Sequence, residues 1–376
     1  MQLYRRGSSG PAVAEVQSTL AGLGLLTDLP AEPVFDDATD SALRAFQQQR
    51  GLSVDGIVGP ETYRALTAAR WRLGDRLLSL ASRPFVGDDV AMLQERLLEL
   101  GYDAGRVDGI FGIRTTEALR GYQRERGLVA DGRCGPATLR DLTQLGRLVT
   151  GGRPHALRES EELHRSGVSL VGKTVVLDPG HGGHDRGATG HGLEEAAVVE
   201  DLAGRLEGRL TASGVRAHLS RAWNDCPSDA ERAGFANDIG ADLLVSLHVD
   251  RAPSPRPQGV ASYHFGTGSG VTSTVGEQLA SLVQREVVAR TGLTDCRVHG
   301  KTWEILRLTR MPAVRLELGH LSSAGDAARL ADPAFRDTVA EALLVAVQRL
   351  YLPPDLDAPT GVLRLADLAG ALAARA

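Results

Sequence analysis

Val176-Leu177-Asp178-Pro179-Gly180-His181-Gly182-Gly183 is the stretch that decides the fold of the second half of this chain. A short apolar run of strand length ends in a glycine-rich turn, which leaves His181 near the carboxyl edge of a sheet, where α/β folds build their sites. Further along, Leu243-Leu244-Val245-Ser246-Leu247-His248 is a second buried strand that terminates in an imidazole, and Met311-Pro312-Ala313-Val314-Arg315-Leu316-Glu317-Leu318-Gly319 is a third that ends in a carboxylate. Strand patterns at 174–177, 216–220, 243–248, 260–265 and 313–318 alternate with helices opening at Glu195, Asp229, Thr274 and Pro333. That order predicts an α/β domain over 173–352, with a central, mostly parallel or mixed sheet covered by helices. Ser228-Asp229-Ala230-Glu231 supplies a capping-box start for the helix at Asp229.

The residues at these strand ends share one chemistry. Gly192-Leu193-Glu194-Glu195 opens a helix with two carboxylates between the two histidine motifs. Two imidazoles and one carboxylate from separate elements, with a position open to solvent, are the donor set of a catalytic zinc. A further glutamate close to the cation but not bound to it, here Glu317, is what a water-activating mechanism requires as general base. His184, His191, His264, His299 and His320 stand outside these motifs, and Cys296-Arg297-Val298-His299 lacks the partners of a metal knuckle.

The first half repeats itself. Residues 35–66 match 111–142 at a constant offset of 76, pairing Phe46-Gln47 with Tyr122-Gln123, Asp55-Gly56 with Asp131-Gly132, and Gly59-Pro60 with Gly135-Pro136. Gln17 matches Gln94 with one residue of slippage. Each copy reads as three helices: one around a Gln, a second ending in an aromatic-Gln pair, and a third opened by Gly-Pro. The second copy carries Val107-Asp108-Gly109-Ile110-Phe111-Gly112 before its central helix, whereas the first carries Glu32-Pro33-Val34-Phe35-Asp36. The chain therefore divides into modules at 1–70 and 78–146, a polar linker at 147–172, the α/β domain at 173–352 and a tail at 353–376.

The repeats resemble the peptidoglycan-binding type 1 module, a small all-α three-helix bundle, and either a glycan groove or a scaffold surface fits them. D-P-G-H-G-G, the early Glu, S-L-H and P-A-V-x-L-E-L-G, in this order, resemble the amidase 3 family of cell-wall amidases. The resemblance implies Zn2+ held by His181, Glu195 and His248, with Glu195 rather than Glu194 as ligand, and Glu317 as the catalytic carboxylate. It implies hydrolysis of the amide between N-acetylmuramic acid and the L-alanine of a muramoyl-peptide, with water as nucleophile. Arg232, Arg307 and Arg315 are available for substrate carboxylates, structural ion pairs being their plainer role. Three positions depart from the family: Asp250 stands where it carries Asn, and Gly319-His320-Leu321-Ser322-Ser323 replaces its G-F-x-S-N at His320 and Ser323.

Composition narrows the partners. Hydrophobic residues make up 42% and charged residues 24%, and a formal charge of −5 offers no basic surface for nucleic acid. No stretch reaches the roughly 20 apolar residues of a transmembrane segment. Three scattered cysteines suit a reducing compartment, and Met1 to Gly10 lacks an apolar signal core, so a cytoplasmic location is expected, with non-classical export to the cell wall as the alternative. Two modules, an amidase-like domain and no leader also resemble actinobacterial regulators of peptidoglycan precursor synthesis. That resemblance implies a precursor-synthesis enzyme as partner and Thr360, in the acidic linker Pro353 to Thr360, as a phosphorylation site.

Overall fold

The structure, a computed structural model, describes residues 3–28, 32–145, 159–161, 163, 165–266 and 272–352. The described residues form two compact units, those up to 145 in the first and those from Glu159 in the second. In the first unit, helices α1 (Pro11–Gly22), α2 (Asp37–Gln49) and α3 (Pro60–Ala69) make one bundle. Helices α4 (Asp88–Glu99), α5 (Ile113–Glu125) and α6 (Pro136–Leu145) make a second. Val13, Val16 and Leu20, spaced along one stripe of α1, close on Leu43, Phe46 and Leu66. Leu93, Leu97, Leu119, Tyr122 and Leu142 do the same in the second bundle. Proline opens α1, α3 and α6, where its missing N–H costs nothing.

A buried glutamine organises each turn. Gln47 Nε2 donates to Asp55 Oδ1, the Ile57 carbonyl and Thr62 Oγ1 at 2.7, 3.1 and 3.2 Å, and its Oε1 accepts from Gly56 N at 2.9 Å. Gln123 repeats this set on Asp131, Arg133, Thr138 and Gly132. Gln94 repeats it on Asp108, Ile110, Thr115 and Gly109. The three turn glycines share a left-handed φ of 71–72°, a conformation that L side chains resist. The 76-residue repeat is thus itself built from a shorter one, a helix glutamine that latches an Asp-Gly turn. The departure at Glu32-Pro33-Val34 has a visible cost. Among the described residues, Gln17 Nε2 donates to the Val34 carbonyl and Thr39 Oγ1, both at 2.9 Å, in a turn that has neither the aspartate nor the glycine.

In the second unit, six strands order as β4-β1-β5-β8-β6-β7, with β1 at Thr174–Pro179, β4 at Arg216–Leu219, β5 at Leu243–Asp250, β6 at Val260–Phe265, β7 at Asp295–Lys301 and β8 at Ala313–His320. All neighbours run parallel except β6 and β8, so the sheet is mixed. A two-stranded hairpin, β2 (Thr189–Gly190) with β3 (Leu193–Glu194), precedes α7 (Glu195–Ala212). Then come α8 (Asp229–Asp238), α9 (Thr274–Thr291), α10 (Glu304–Leu308), α11 (Ala324–Ala331) and α12 (Pro333–Leu350). The strand β7, the hairpin and the helices α10 and α11 add to the elements expected from sequence. β7 is an edge strand of alternating exposure whose sequence, Asp-Cys-Arg-Val-His-Gly-Lys, has no apolar run to betray it. The expected capping box is present: Ser228 N donates to Glu231 Oε2 at 2.8 Å, and Glu231 N to Ser228 Oγ at 3.4 Å.

Strand alternation divides the sheet's two faces by task. Val175, Leu177, Val245, Leu247, Val314 and Leu316 point into a core closed by α7, α9 and α12. Asp178, Ser246, His248, Arg315 and Glu317 occupy the opposite parity and line the other face. Of the polar linker expected at 147–172, residues 159–161, 163 and 165–172 are described and belong to the second unit, with Leu170 buried in its core; the rest of the linker, the tail at 353–376 and Thr360 lie outside the described residues.

The glutamine latches carry a stability prediction. Gln123→Leu should destabilise its bundle by about 2–4 kcal/mol, since each buried polar group it orphans costs roughly 1–3 kcal/mol against partial relaxation. The same change at Gln17, with fewer partners, should cost clearly less. Amide hydrogen exchange over 128–138 and over 32–39 reads the two effects separately.

Candidate metal centre and active site

The His181 turn is set before the site is. Asp178, buried at the end of β1, accepts hydrogen bonds from Ser246 Oγ at 2.6 Å and Arg232 Nη1 at 2.8 Å, and from Ser220 Oγ. Burial pushes this carboxyl up, but the Arg232 guanidinium and the two hydroxyls outweigh it and hold Asp178 below the usual range. Arg232 also donates to the carbonyls of Pro179 and His181, at 2.8 and 2.7 Å, and through Nε to that of Pro227 at 2.9 Å. Arg221, with a fully buried side chain tied to Glu200, donates to the Pro179 carbonyl at 2.8 Å and the Gly180 carbonyl at 3.4 Å. Two guanidiniums therefore pin three successive carbonyls, and His181 is held at a left-handed φ of 58° that a free histidine avoids.

Three donors converge at this edge. Glu195, in the first turn of α7, lies between the imidazoles: its Oε2 is 3.1 Å from His181 Nε2 and its Oε1 is 2.9 Å from His248 Nδ1. Val249 N and Ala188 N donate to the same two oxygens at 3.0 and 2.8 Å. The rings meet edge-on with centroids 5.3 Å apart. One ligand atom from each residue falls within 4.8 Å of the others, the one such group of three or more among the described residues, so the donor set fits a divalent ion. Two glycines make room. A Cβ on Gly180 would lie 2.1 Å from His248 Cε1, and one on Gly187 2.5 Å from Glu195 Oε2.

Electrostatics match the geometry. The Glu195 bond raises His181 to about 9 against the opposing effect of burial, and Asp185, whose Oδ2 is 2.7 Å from Nδ1, adds to the rise. Burial works against the Glu195 charge, but both histidines override it and hold the carboxyl far below its ordinary value. Glu317 stands directly across from His248 in the β5–β8 register and so shares its face. Arg315 Nε and Nη2 donate to Glu317 Oε1 at 2.9 and 2.7 Å.

The sequence profile described as N-acetylmuramoyl-L-alanine amidase matches residues 175–349, and that described as "Putative peptidoglycan binding domain" matches 9–66 and 86–142. The chain is 51% identical to N-acetylmuramoyl-L-alanine amidase CwlM of Mycobacterium tuberculosis, over 97% of this chain and 93% of that protein. It belongs to the N-acetylmuramoyl-L-alanine amidase family. LytC, an N-acetylmuramoyl-L-alanine amidase of Bacillus subtilis, is 34% identical over 46% of this chain and 34% of its own length. The catalytic domain of CwlV, an N-acetylmuramoyl-L-alanine amidase from Bacillus (Paenibacillus) polymyxa var. colistinus, aligns with 46% of this chain and 96% of its own at 28% identity and a TM-score of 0.43.

Within this amidase family member, His181, Glu195 and His248 are gathered and Glu317 is on the strand beside them. Glu194 points elsewhere, to Arg186 Nη1 at 2.9 Å on the exposed side. Arg232 is consumed by Asp178 and the turn, Arg315 is bonded to Glu317, and Arg307 is half-buried on α10. His299 Nε2 sits 2.7 Å from the Cys296 carbonyl, and Cys296 Sγ donates to the Gln258 carbonyl, so this pair serves the backbone. His320 Nδ1 is 3.7 Å from Asp250 Oδ2, so two of the positions that depart from the family pattern are neighbours. Sequence reasoning missed Asp185, which orients His181, and Arg221, which holds the turn. The spacing of His181 to Asp185 was available as a signal, whereas a guanidinium that binds carbonyls leaves none.

Two outcomes follow from these contacts. Asp178→Ala strands Arg232 in the interior and should cost about 3–5 kcal/mol in chemical denaturation, the usual effect of breaking a buried pair. In protein stripped of metal with EDTA, His181 has a raised folded value, so its contribution is complete below the ordinary 6.5 and is lost as pH climbs through about 9. Thermal melts of the stripped protein should therefore fall in midpoint between pH 7 and 10, and a His181→Ala variant should show a flatter profile.

Proposed function

We propose that the second unit hydrolyses the amide bond between N-acetylmuramic acid and L-alanine in peptidoglycan in a zinc-dependent reaction, with the first unit's two bundles engaging the cell-wall polymer. The observation that carries the reading is the His181–Glu195–His248 cluster with Glu317 one strand away on the same face. His181, Glu195 and His248 would hold the zinc, which supplies a Lewis acid for the scissile carbonyl and for water activation. Asp185 fixes the His181 ring so that Nε2 faces the cluster. Glu317 takes the proton of the attacking water and returns it to the departing amine of L-alanine. The family match at 9–66 and 86–142 supports polymer binding by the bundles. A second reading, a cytoplasmic regulator that contacts a precursor-synthesis enzyme, would act through Thr360 in a tail outside the described residues.

Zinc-loaded protein should contain one equivalent of metal and release muramoyl sugar from L-alanyl peptide. Glu317→Gln should lose roughly 100- to 10,000-fold in turnover, the span typical for removing a general base, while keeping its zinc. His248→Ala should lose both metal and turnover. Wild-type protein that binds zinc and yet cleaves no muramoyl-peptide would remove this reading.

A further inference from the structure

We propose that Arg315, held between Glu317 and the indole of Trp303, is a positioning residue that fixes the catalytic carboxylate in its working orientation. The inference rests on the hydrolytic reading and concerns how Glu317 is aimed. Glu317 has three side-chain torsions and only 13% of its side chain exposed, yet a proton acceptor must be placed to within a fraction of an ångström. Arg315 lies two residues earlier on β8 and shares its face, and both of its bonds, from Nε at 2.9 Å and from Nη2 at 2.7 Å, end on Oε1. That convergence gives the two oxygens separate tasks: Oε1 anchors and Oε2 exchanges the proton.

The anchor is itself anchored. The guanidinium carbon sits 4.5 Å from the Trp303 ring centroid, and the Trp303 ring lies 4.6 Å from that of Tyr263. Tyr263 stands opposite Arg315 in the β6–β8 register, so the stack is fastened to the sheet at both ends. Burial opposes the Arg315 charge, but the Glu317 carboxylate outweighs it and raises the guanidinium further, so the cation persists at every working pH. A flat cation stacked on an indole and forked onto a carboxylate is a task for arginine that lysine performs poorly.

The test uses the zinc-loaded full chain and a muramoyl-peptide substrate, with Arg315→Met, Arg315→Lys and Trp303→Leu compared with wild type and Glu317→Gln. Arg315→Met should lower kcat about 10- to 100-fold, the range for a misplaced reacting group, with KM within about threefold and zinc content unchanged. Arg315→Lys should recover part of that loss. Trp303→Leu, which spares the ion pair, should lose less than Arg315→Met. Crystal structures supply a readout independent of turnover: the Glu317 carboxylate should leave its wild-type rotamer in Arg315→Met. An active wild type with Arg315→Met at full or raised kcat, or with Glu317 unmoved in that variant, overturns this inference and leaves the hydrolytic reading standing. A wild type that holds zinc and cleaves nothing overturns both.

Discussion

The buried pair of Asp178 and Arg232 is the contact on which the second unit's chemistry depends. A carboxylate at the end of a central strand is costly to bury alone, and here it is met by one guanidinium and two hydroxyls. The consequence reaches beyond stability. Arg232 has donors beyond that pair, and two of its bonds go to the Pro179 and His181 carbonyls, so the charge that neutralises Asp178 also locks the backbone that presents His181. Arg221 doubles the restraint from the other side. A left-handed histidine is strained by itself, and these bonds over-determine it, which is how such strain persists in a folded chain.

Given that turn, the sheet supplies the rest through its period of two. One parity of β1, β5 and β8 is apolar and buried beneath α7, α9 and α12, so the register of these strands cannot slip without exposing the core. The other parity is thereby fixed as well, and it carries Asp178, Ser246, His248, Arg315 and Glu317 in adjoining rows. Packing on one face and chemistry on the other are thus a single constraint. Glu195 arrives separately, from the first turn of α7, and its two oxygens are shared between imidazoles and backbone N–H groups. This sharing keeps the carboxylate charged although it is buried.

The sequence made legible what these constraints write locally. Apolar runs ending in His181, His248 and Glu317 could be read because a buried strand and a polar residue at its end are both visible in one dimension. The bundles could be read because Asp-Gly and Gly-Pro mark turns at fixed offsets. The edge strand β7 escaped because an exposed edge needs no apolar pattern, and Arg297 within it takes a left-handed φ of 70° where the pairing with β6 slips. Asp185 escaped because its task is defined by the ring it touches. Arg315 could be seen as a cation, but its partner was two residues away on the same strand, and only the shared face reveals them as a pair.

The first unit shows the same logic in a region with no chemistry to protect. Gln47, Gln94 and Gln123 each satisfy a turn aspartate, a carbonyl, a threonine and a glycine N–H, so the polar groups of each latched turn are paired inside the bundle. Glycine is required because its N–H must point inward while the chain turns through a left-handed φ. Where the turn reads Glu32-Pro33-Val34, the proline has no N–H to give, and Thr39 instead donates to Asp36, whose carboxylate also caps α2. The first half of the first bundle therefore combines a reduced amide latch from Gln17 with a helix cap from Asp36. A surface built on the latched turns is present three times in this unit, and the fourth position offers different groups to whatever approaches it.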